Sequence, residues 1–145
     1  SYHNGDIDWA KVKAAGISFA LLRCGYGNDE RNQDDIKFVQ NVKGCEDNGI
    51  QYGVYLYSYA VDNDKEKTLG DMARSEAEHV LRMIEEAGAK PTMPVYYDIE
   101  SVDYDTGRLD SAGLSKAQKT ALCTAFCDTI ISRATAQVFM QTTHG

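Results

Sequence analysis

The sequence predicts an α/β fold built on a parallel sheet. Three observations point there. Helical and strand patterns alternate from Ile7 to about Ser132. The strand-length runs are rich in apolar and aromatic residues, as in strands covered by crossover helices. The order is helix, strand, helix, strand, helix, strand, helix, the rhythm of right-handed βαβ units.

The elements follow in order. Ile7 to Gly16 reads as a short helix with Asp8 as cap and Gly16 as stop. Ile17 to Arg23 is a nearly continuous apolar run, expected to be a strand buried on both faces. Gly25 to Asp29 reads as a loop. Asp34 to Asn48 predicts an amphipathic helix, with Ile36, Val39, Val42 and Cys45 spaced three apart. Tyr52 to Tyr59 is the second strand. A polar loop, Asp62 to Lys65, leads to a helix over Ser75 to Ala87, with Ala77, Val80, Leu81 and Ile84 on one stripe. Pro94 to Glu100 is the third strand, and Gly107 to Gly113 a loop. Ser115 caps a last helix, with Leu122, Phe126 and Ile130 four apart, running to about Ser132.

Composition narrows the classes. The 145 residues are 43% hydrophobic and 26% charged, as in a folded globular chain. They fall short of the roughly 250 residues of a complete (β/α)₈ barrel. Fifteen Lys+Arg against 22 Asp+Glu give a net charge of -7, which argues against nucleic acid as a partner. No apolar run nears the roughly 20 residues of a membrane span, and no signal-peptide pattern opens the chain. Cys24, Cys45, Cys123 and Cys127 form no CxxC pair, and His3, His79 and His144 are scattered. Buried free thiols are the expectation, with no metal site. Asp103 and Asp105 lack the spacing of a calcium loop.

The candidate chemistry lies at strand C-terminal ends, where parallel α/β folds place their sites. Asp98 and Glu100 are spaced i, i+2 at the end of the third strand, so they share a face with Tyr96, while Val95, Tyr97 and Ile99 take the other. Two confined carboxylates repel, which raises the proton affinity of one while the other stays ionised. Glycoside hydrolysis uses that division between an acid and a charge-stabilising carboxylate. A solvated loop entry or a helix cap would leave the same pattern. On the second strand, Tyr55, Tyr57 and Tyr59 alternate with Val54 and Leu56. The tyrosines suit a sugar platform or a core ladder. Arg23 could pair with an acid such as Asp98, or stand on the surface.

Four segments resemble successive motifs of glycoside hydrolase family 25, the lysozymes (N-acetylmuramidases) of bacteria and phage. They are Asp6 to Gly16, Arg23 to Gly27, Tyr52 to Tyr59 and Pro94 to Glu100. The resemblance runs to about Ser132. It implies an incomplete, irregular (β/α) TIM-like barrel of parallel strands and covering helices. It implies cleavage of the β-1,4 bond from N-acetylmuramic acid to N-acetylglucosamine in peptidoglycan, without a cofactor. Glu100 matches the catalytic acid and Asp98 its partner carboxylate. Tyr57, and with it Tyr59 and Arg23, match the sugar-lining region, and Tyr96, on the face of the acid pair, is a further substrate-binding candidate. The cell wall or extracellular space is the implied location, with any export signal outside this chain.

Both ends depart from the family pattern. The family opens on a strand carrying a site Asp, and this chain begins just after it. Near the other end the family expects a strand like Gly-Val-Tyr-Ala-Asn. A back-translation of Gln137 to Gly145, started two bases later, can read Gly-Val-Tyr-Ala-Asn-Asn-Pro-Trp. The expectation is therefore a partial catalytic domain over residues 1–133 and a frameshifted, non-native tail over 134–145. Such a chain would be impaired as an enzyme, and a non-catalytic peptidoglycan-binding remnant is the alternative. Open strand edges would also invite a homodimer. An unrelated metal- or phosphate-handling α/β protein is disfavoured by the lack of a Gly-rich loop with Lys and Ser/Thr.

Overall fold

A computed structural model describes residues 1–60, 67–100 and 114–142, with side chains described up to residue 134. After a short turn at Tyr2–Asn4, the elements are α1 (Trp9–Ala14), β1 (Phe19–Tyr26), α2 (Phe38–Asp47), β2 (Gln51–Tyr57), α3 (Leu69–Glu86), β3 (Val95–Asp98) and α4 (Lys116–Thr142). The strands form a parallel sheet in the order β1-β2-β3.

That order fixes where the helices go. Each strand adds beside the last, so two right-handed crossovers carry α2 and α3 over the same face. Leu22, Cys24, Val54 and Leu56 point into that face and are at most 3% exposed. This is the one-way winding of a barrel wall rather than of a sheet covered on both sides. The wall is not closed. On the other face Phe19 and Leu21 remain 54% and 44% exposed, so the first strand is buried on one face only. The apolar run in β1 thus serves two environments that its composition does not distinguish.

Each helix buries a stripe set by its own phase. Asp8 caps α1 by accepting the Lys11 N–H at 3.1 Å. In α2 the buried stripe is Phe38, Asn41, Val42 and Cys45, the i, i+3, i+4, i+7 pattern. Ile36 and Val39, expected in the core, are 81% and 57% exposed: Ile36 precedes the helix, which starts at Phe38, and Val39 is out of phase with its buried stripe. Thr68 and Asp71 cap α3 reciprocally, so it begins six residues before the expected Ser75. Leu122 and Phe126 anchor α4 in the core as expected. The helix continues past Ser132 to Thr142, through a stretch without Gly or Pro. Cys24 and Cys45 are buried, whereas Cys123 is half-buried and Cys127 exposed, contrary to the expectation for all four. The expected loops at Asp62 to Lys65 and Gly107 to Gly113 lie outside the described residues.

α1 docks on α2 through Trp9, which is 8% exposed. A Cβ placed on Gly44 would stand 1.9 Å from Trp9 Cδ1. In an open helix, Gly→Ala gains about 1 kcal/mol of propensity. Against a buried indole, overpacking of about 1–3 kcal/mol outweighs it. Gly44→Ala is therefore expected to lower the thermal midpoint followed by circular dichroism; a higher midpoint would mean that Trp9 does not sit there.

Candidate active site

Register assembles the site. Tyr55 stands level with Arg23 on one side and Tyr96 on the other, and Tyr57 level with Tyr26 and Asp98. These two rungs make the uncovered face of the sheet. Below the mouth, Leu21, Tyr55, Tyr96, Tyr97 and Asp98 line an open groove of about 540 Å³. Glu100 follows just beyond β3, exposed, and accepts a hydrogen bond from the Tyr57 hydroxyl at 3.2 Å.

Tyr26 reaches this face through a break in the strand. The pairing of β1 slips between Arg23 and Gly25, so Gly25 pairs with Leu56 and Tyr26 with Tyr57. Strict alternation from Arg23 would turn Tyr26 toward the helices; the extra residue, a β-bulge, turns it to the site. Its ring then lies 4.9 Å from that of Tyr59, which lies 5.8 Å edge-on from Tyr57. Three tyrosines thus gather at the mouth. The sequence pattern suggested a loop from Gly25 onward and missed Tyr26. Only the alternation of Tyr26 with Gly25 and Gly27 hinted at it.

Arg23 has a different partner from the one expected. Two strand spacings of about 4.8 Å and one rung separate it from Asp98, too far for an ion pair. Its Nε instead donates to Asp35 Oδ2 at 2.9 Å, with the side chain 9% exposed. The Tyr2 ring covers it, 5.0 Å from the guanidinium carbon, and the Tyr2 N–H donates to the same carboxylate oxygen at 3.0 Å. Asp34 faces the other way. It accepts from Arg82 Nη2 at 2.7 Å and lies 2.9 Å from His79 Nε2. Arg82 also reaches Asp29 at 2.6 Å. Burial pushes the Asp34 carboxyl up, but Arg82 and His79 together hold it below its ordinary value. Both acids were expected in the first turn of α2; they instead pin the β1–α2 connection on its two sides.

Tyr97 and Glu76 act from behind the sheet. Tyr97 stacks on Phe126 with centroids 4.0 Å apart and planes at 7°. Its hydroxyl donates to Glu76, which is 1% exposed. Burial raises the Glu76 carboxyl above its ordinary range, opposed by hydrogen bonds from Tyr97, Tyr59 and Ser58. Sequence reasoning passed over Glu76. The available signal was a charged residue on the buried stripe of α3, in phase with Met72, Ala73, Val80 and Met83.

The site therefore joins an aromatic wall to two carboxylates at a strand end. These are the parts that glycoside chemistry and sugar binding draw on. Among the described residues no cluster of three or more His, Cys, Asp or Glu could hold a metal ion; Asp103 and Asp105 lie outside them.

The profile of Glycosyl hydrolases family 25 matches residues 1–144, and the chain belongs to that family. Solved structures agree on the fold. The modular autolysin LytC of Streptococcus pneumoniae superposes with a TM-score of 0.74 at 27% identity, over 92% of this chain and 28% of LytC. LytC has also been solved with a synthetic peptidoglycan ligand. The lysozyme of Streptomyces coelicolor gives 0.67 at 24% identity, over 92% of this chain and 55% of that one. The muramidase of Trichobolus zukalii gives 0.65 at 16%, over 91% and 57%. The chain thus spans less than two thirds of the length of these relatives. Among curated proteins none matches significantly.

Burial first, and the charge of Glu100 second, raise the Asp98 carboxyl above its ordinary 3.8. The folded chain therefore holds that proton more tightly than the unfolded one. The contribution to stability is full below the unfolded value and is lost as pH rises through the folded value. Asp98→Asn cannot ionise. It is expected to melt higher than the parent at about pH 7, with the gap closing at about pH 3. Thermal melts across that range check it, and a parent that melts higher at neutral pH would contradict the burial of Asp98.

Proposed function

We propose that this chain carries the acid pair of a muramidase, a glycoside hydrolase cleaving the β-1,4 bond between N-acetylmuramic acid and N-acetylglucosamine. The observation that carries the reading is the Tyr57–Asp98 rung with Glu100 held by Tyr57, in a chain of this family. Peptidoglycan glycan strands are the substrate. LytC, similar to this chain, has been solved with a ligand of that kind.

Glu100, exposed at the mouth, donates a proton to the glycosidic oxygen. Asp98, half-buried beneath it, stabilises the positive charge that develops at the anomeric carbon or orients the acetamido group. Tyr57, Tyr59 and Tyr96 offer ring faces and hydroxyls to the sugars. Arg23 supports that wall from under Tyr2, close enough for its charge to act on the Tyr55 phenol. The chemistry calls for neither cofactor nor metal. Its substrate places the reaction outside the cell or at the wall. No helix among the described residues is long and apolar enough to cross a membrane.

Two further parts belong to the same reading. The open edges of β1 and β3 let two copies pair, which sedimentation of the chain would detect as a dimer. Residues 134–145 carry a shifted reading frame after a partial catalytic domain at 1–133. The coding DNA decides that: no single-base shift restoring the expected strand would end it.

Clearing of a bacterial wall suspension tests the activity. The chain as given is expected to clear walls weakly, and Glu100→Gln to lose at least about 100-fold of whatever activity it has. Equal clearing by parent and variant would remove Glu100 from the acid role. Clearing only by a chain with both ends extended to the family pattern would make this one a wall-binding remnant.

A further inference from the structure

Behind the acid pair, on the helix-packed face, lies a carboxylate that the proposed chemistry does not use. Glu76 stands on α3 and is 1% exposed. Its Oε1 accepts the Tyr59 backbone N–H at 2.7 Å. Its Oε2 accepts the Ser58 hydroxyl at 2.9 Å and also the Tyr97 hydroxyl. Ser58 and Tyr59 lie just beyond β2, and Tyr97 lies within β3. One carboxylate therefore spans the ends of both strands.

The tie is rigid. Tyr97 is stacked on Phe126, so its hydroxyl has little freedom. The Ser58 N–H donates to the Asp98 carbonyl oxygen at 2.9 Å, joining the same two ends through the backbone. Strand neighbours point to opposite faces. Ser58 follows Tyr57 and Tyr97 precedes Asp98, so what is tied behind the sheet determines where Tyr57 and Asp98 stand in front. Filling this space does not by itself call for a carboxylate. An apolar or amide side chain would fill it with a smaller desolvation cost. Three converging donors from two strands are matched by the acceptor oxygens of a carboxyl group and by few other groups.

We propose that Glu76 is a positioning residue for the Asp98–Glu100 pair: holding Tyr59, Ser58 and Tyr97, it locks the ends of β2 and β3 together and so sets the spacing of Tyr57, Asp98 and Glu100. Its catalytic meaning rests on the muramidase reading, but the spacing can be read without turnover. Asp98 reports it, because both its burial and its closeness to Glu100 raise its proton affinity. If the strand ends part, water enters between Tyr57 and Asp98, and the loss of burial lowers the Asp98 titration midpoint.

The experiment is a carbon-13 NMR titration of the carboxyls in the 145-residue chain, with thermal melts alongside. Glu76→Gln is expected to lower the Asp98 midpoint by about half a pH unit or more. Tyr97→Phe leaves the Glu76 carboxyl and the ring stack in place but removes one donor. It is expected to move the midpoint the same way, which a loss of charge alone would not do. Glu78→Gln, on the outer side of α3 where Glu78 pairs with Arg133, is expected to leave the midpoint in place. If Glu76→Gln does not fold, Tyr97→Phe decides. An unchanged Asp98 midpoint in the folded variants overturns the proposal, whether or not the melting temperature falls, because Glu76 would then only fill the core. Equal wall clearing by Glu100→Gln and parent would sink the muramidase reading instead, and the Asp98 titration still decides the positioning role.

Discussion

The parallel register of β1, β2 and β3 is the constraint on which the candidate site depends. Tyr57 can touch Glu100 only because it stands level with Asp98. A one-residue slip of β3 would turn Asp98 toward the helices and bring Tyr97 and Ile99 to the front. Such a slip would carry Tyr97 off Phe126 and remove a donor from Glu76. The apolar preference of one face and the polar ties on the same face thus select the same register. On β1 the bulge adjusts this pattern locally. Gly25 makes it possible, since a Cβ there would lie 2.6 Å from His79 Cε1 and 2.7 Å from the Gln33 carbonyl oxygen.

Charged groups divide into those that hold the scaffold and those left at the mouth. Arg23–Asp35 and Arg82–Asp34 lie on the two sides of the β1–α2 connection. Both pairs are partly or fully withdrawn from water. Breaking one partner away would therefore cost more than a surface pair is worth, because a charge would be left poorly solvated. Asp98 and Glu100 have no such cation among the interactions described. For Asp98, burial first and the neighbouring Glu100 charge second favour the protonated form. The same residue type thus performs opposite tasks according to whether an arginine stands beside it.

What could be read from the sequence follows from period and local chemistry. The alternation of Val54 and Leu56 with Tyr55 and Tyr57 is strict, and the two sets occupy the two faces as expected. The i, i+2 spacing keeps Asp98 and Tyr96 on one face of β3, while the ring of Tyr97 packs behind the sheet on Phe126. Asp8 caps α1 by a local contact three residues long. The misses have tertiary causes. Asp34 and Asp35 look like helix-starting acids, but partners 45 and 12 residues away claim their side chains. Gly70 and the exposed Asp71 disguised the first turn of α3, which a capping box supports. The slip in β1 interrupts a period of two, so no two-residue pattern could extend the strand to Tyr26. For Arg23 the residue type leaves an acid partner and a surface position open; the order of strands, which sets distance, puts Asp98 out of reach, and Asp35 is its partner.

Asp98 and Glu100 at the end of β3, and Glu76 on α3, lie on opposite sides of the same sheet, and their environments are complementary. In front, Glu100 is exposed and Asp98 half-buried, so ligand and proton can reach them. Behind, Glu76 is sealed among Ser58, Tyr59 and Tyr97, and its donors leave it no role toward solvent. A reactive pair needs access to water and substrate, and access loosens geometry by thinning the packing around it. Geometry at such a site has to be set from its dry side. Here the dry side is reached through adjacent residues of the same strands, where alternation converts a fixed Tyr97 and Ser58 into a fixed Asp98 and Tyr57. The period of two that divides core from surface in β2 and β3 therefore also carries rigidity from one to the other.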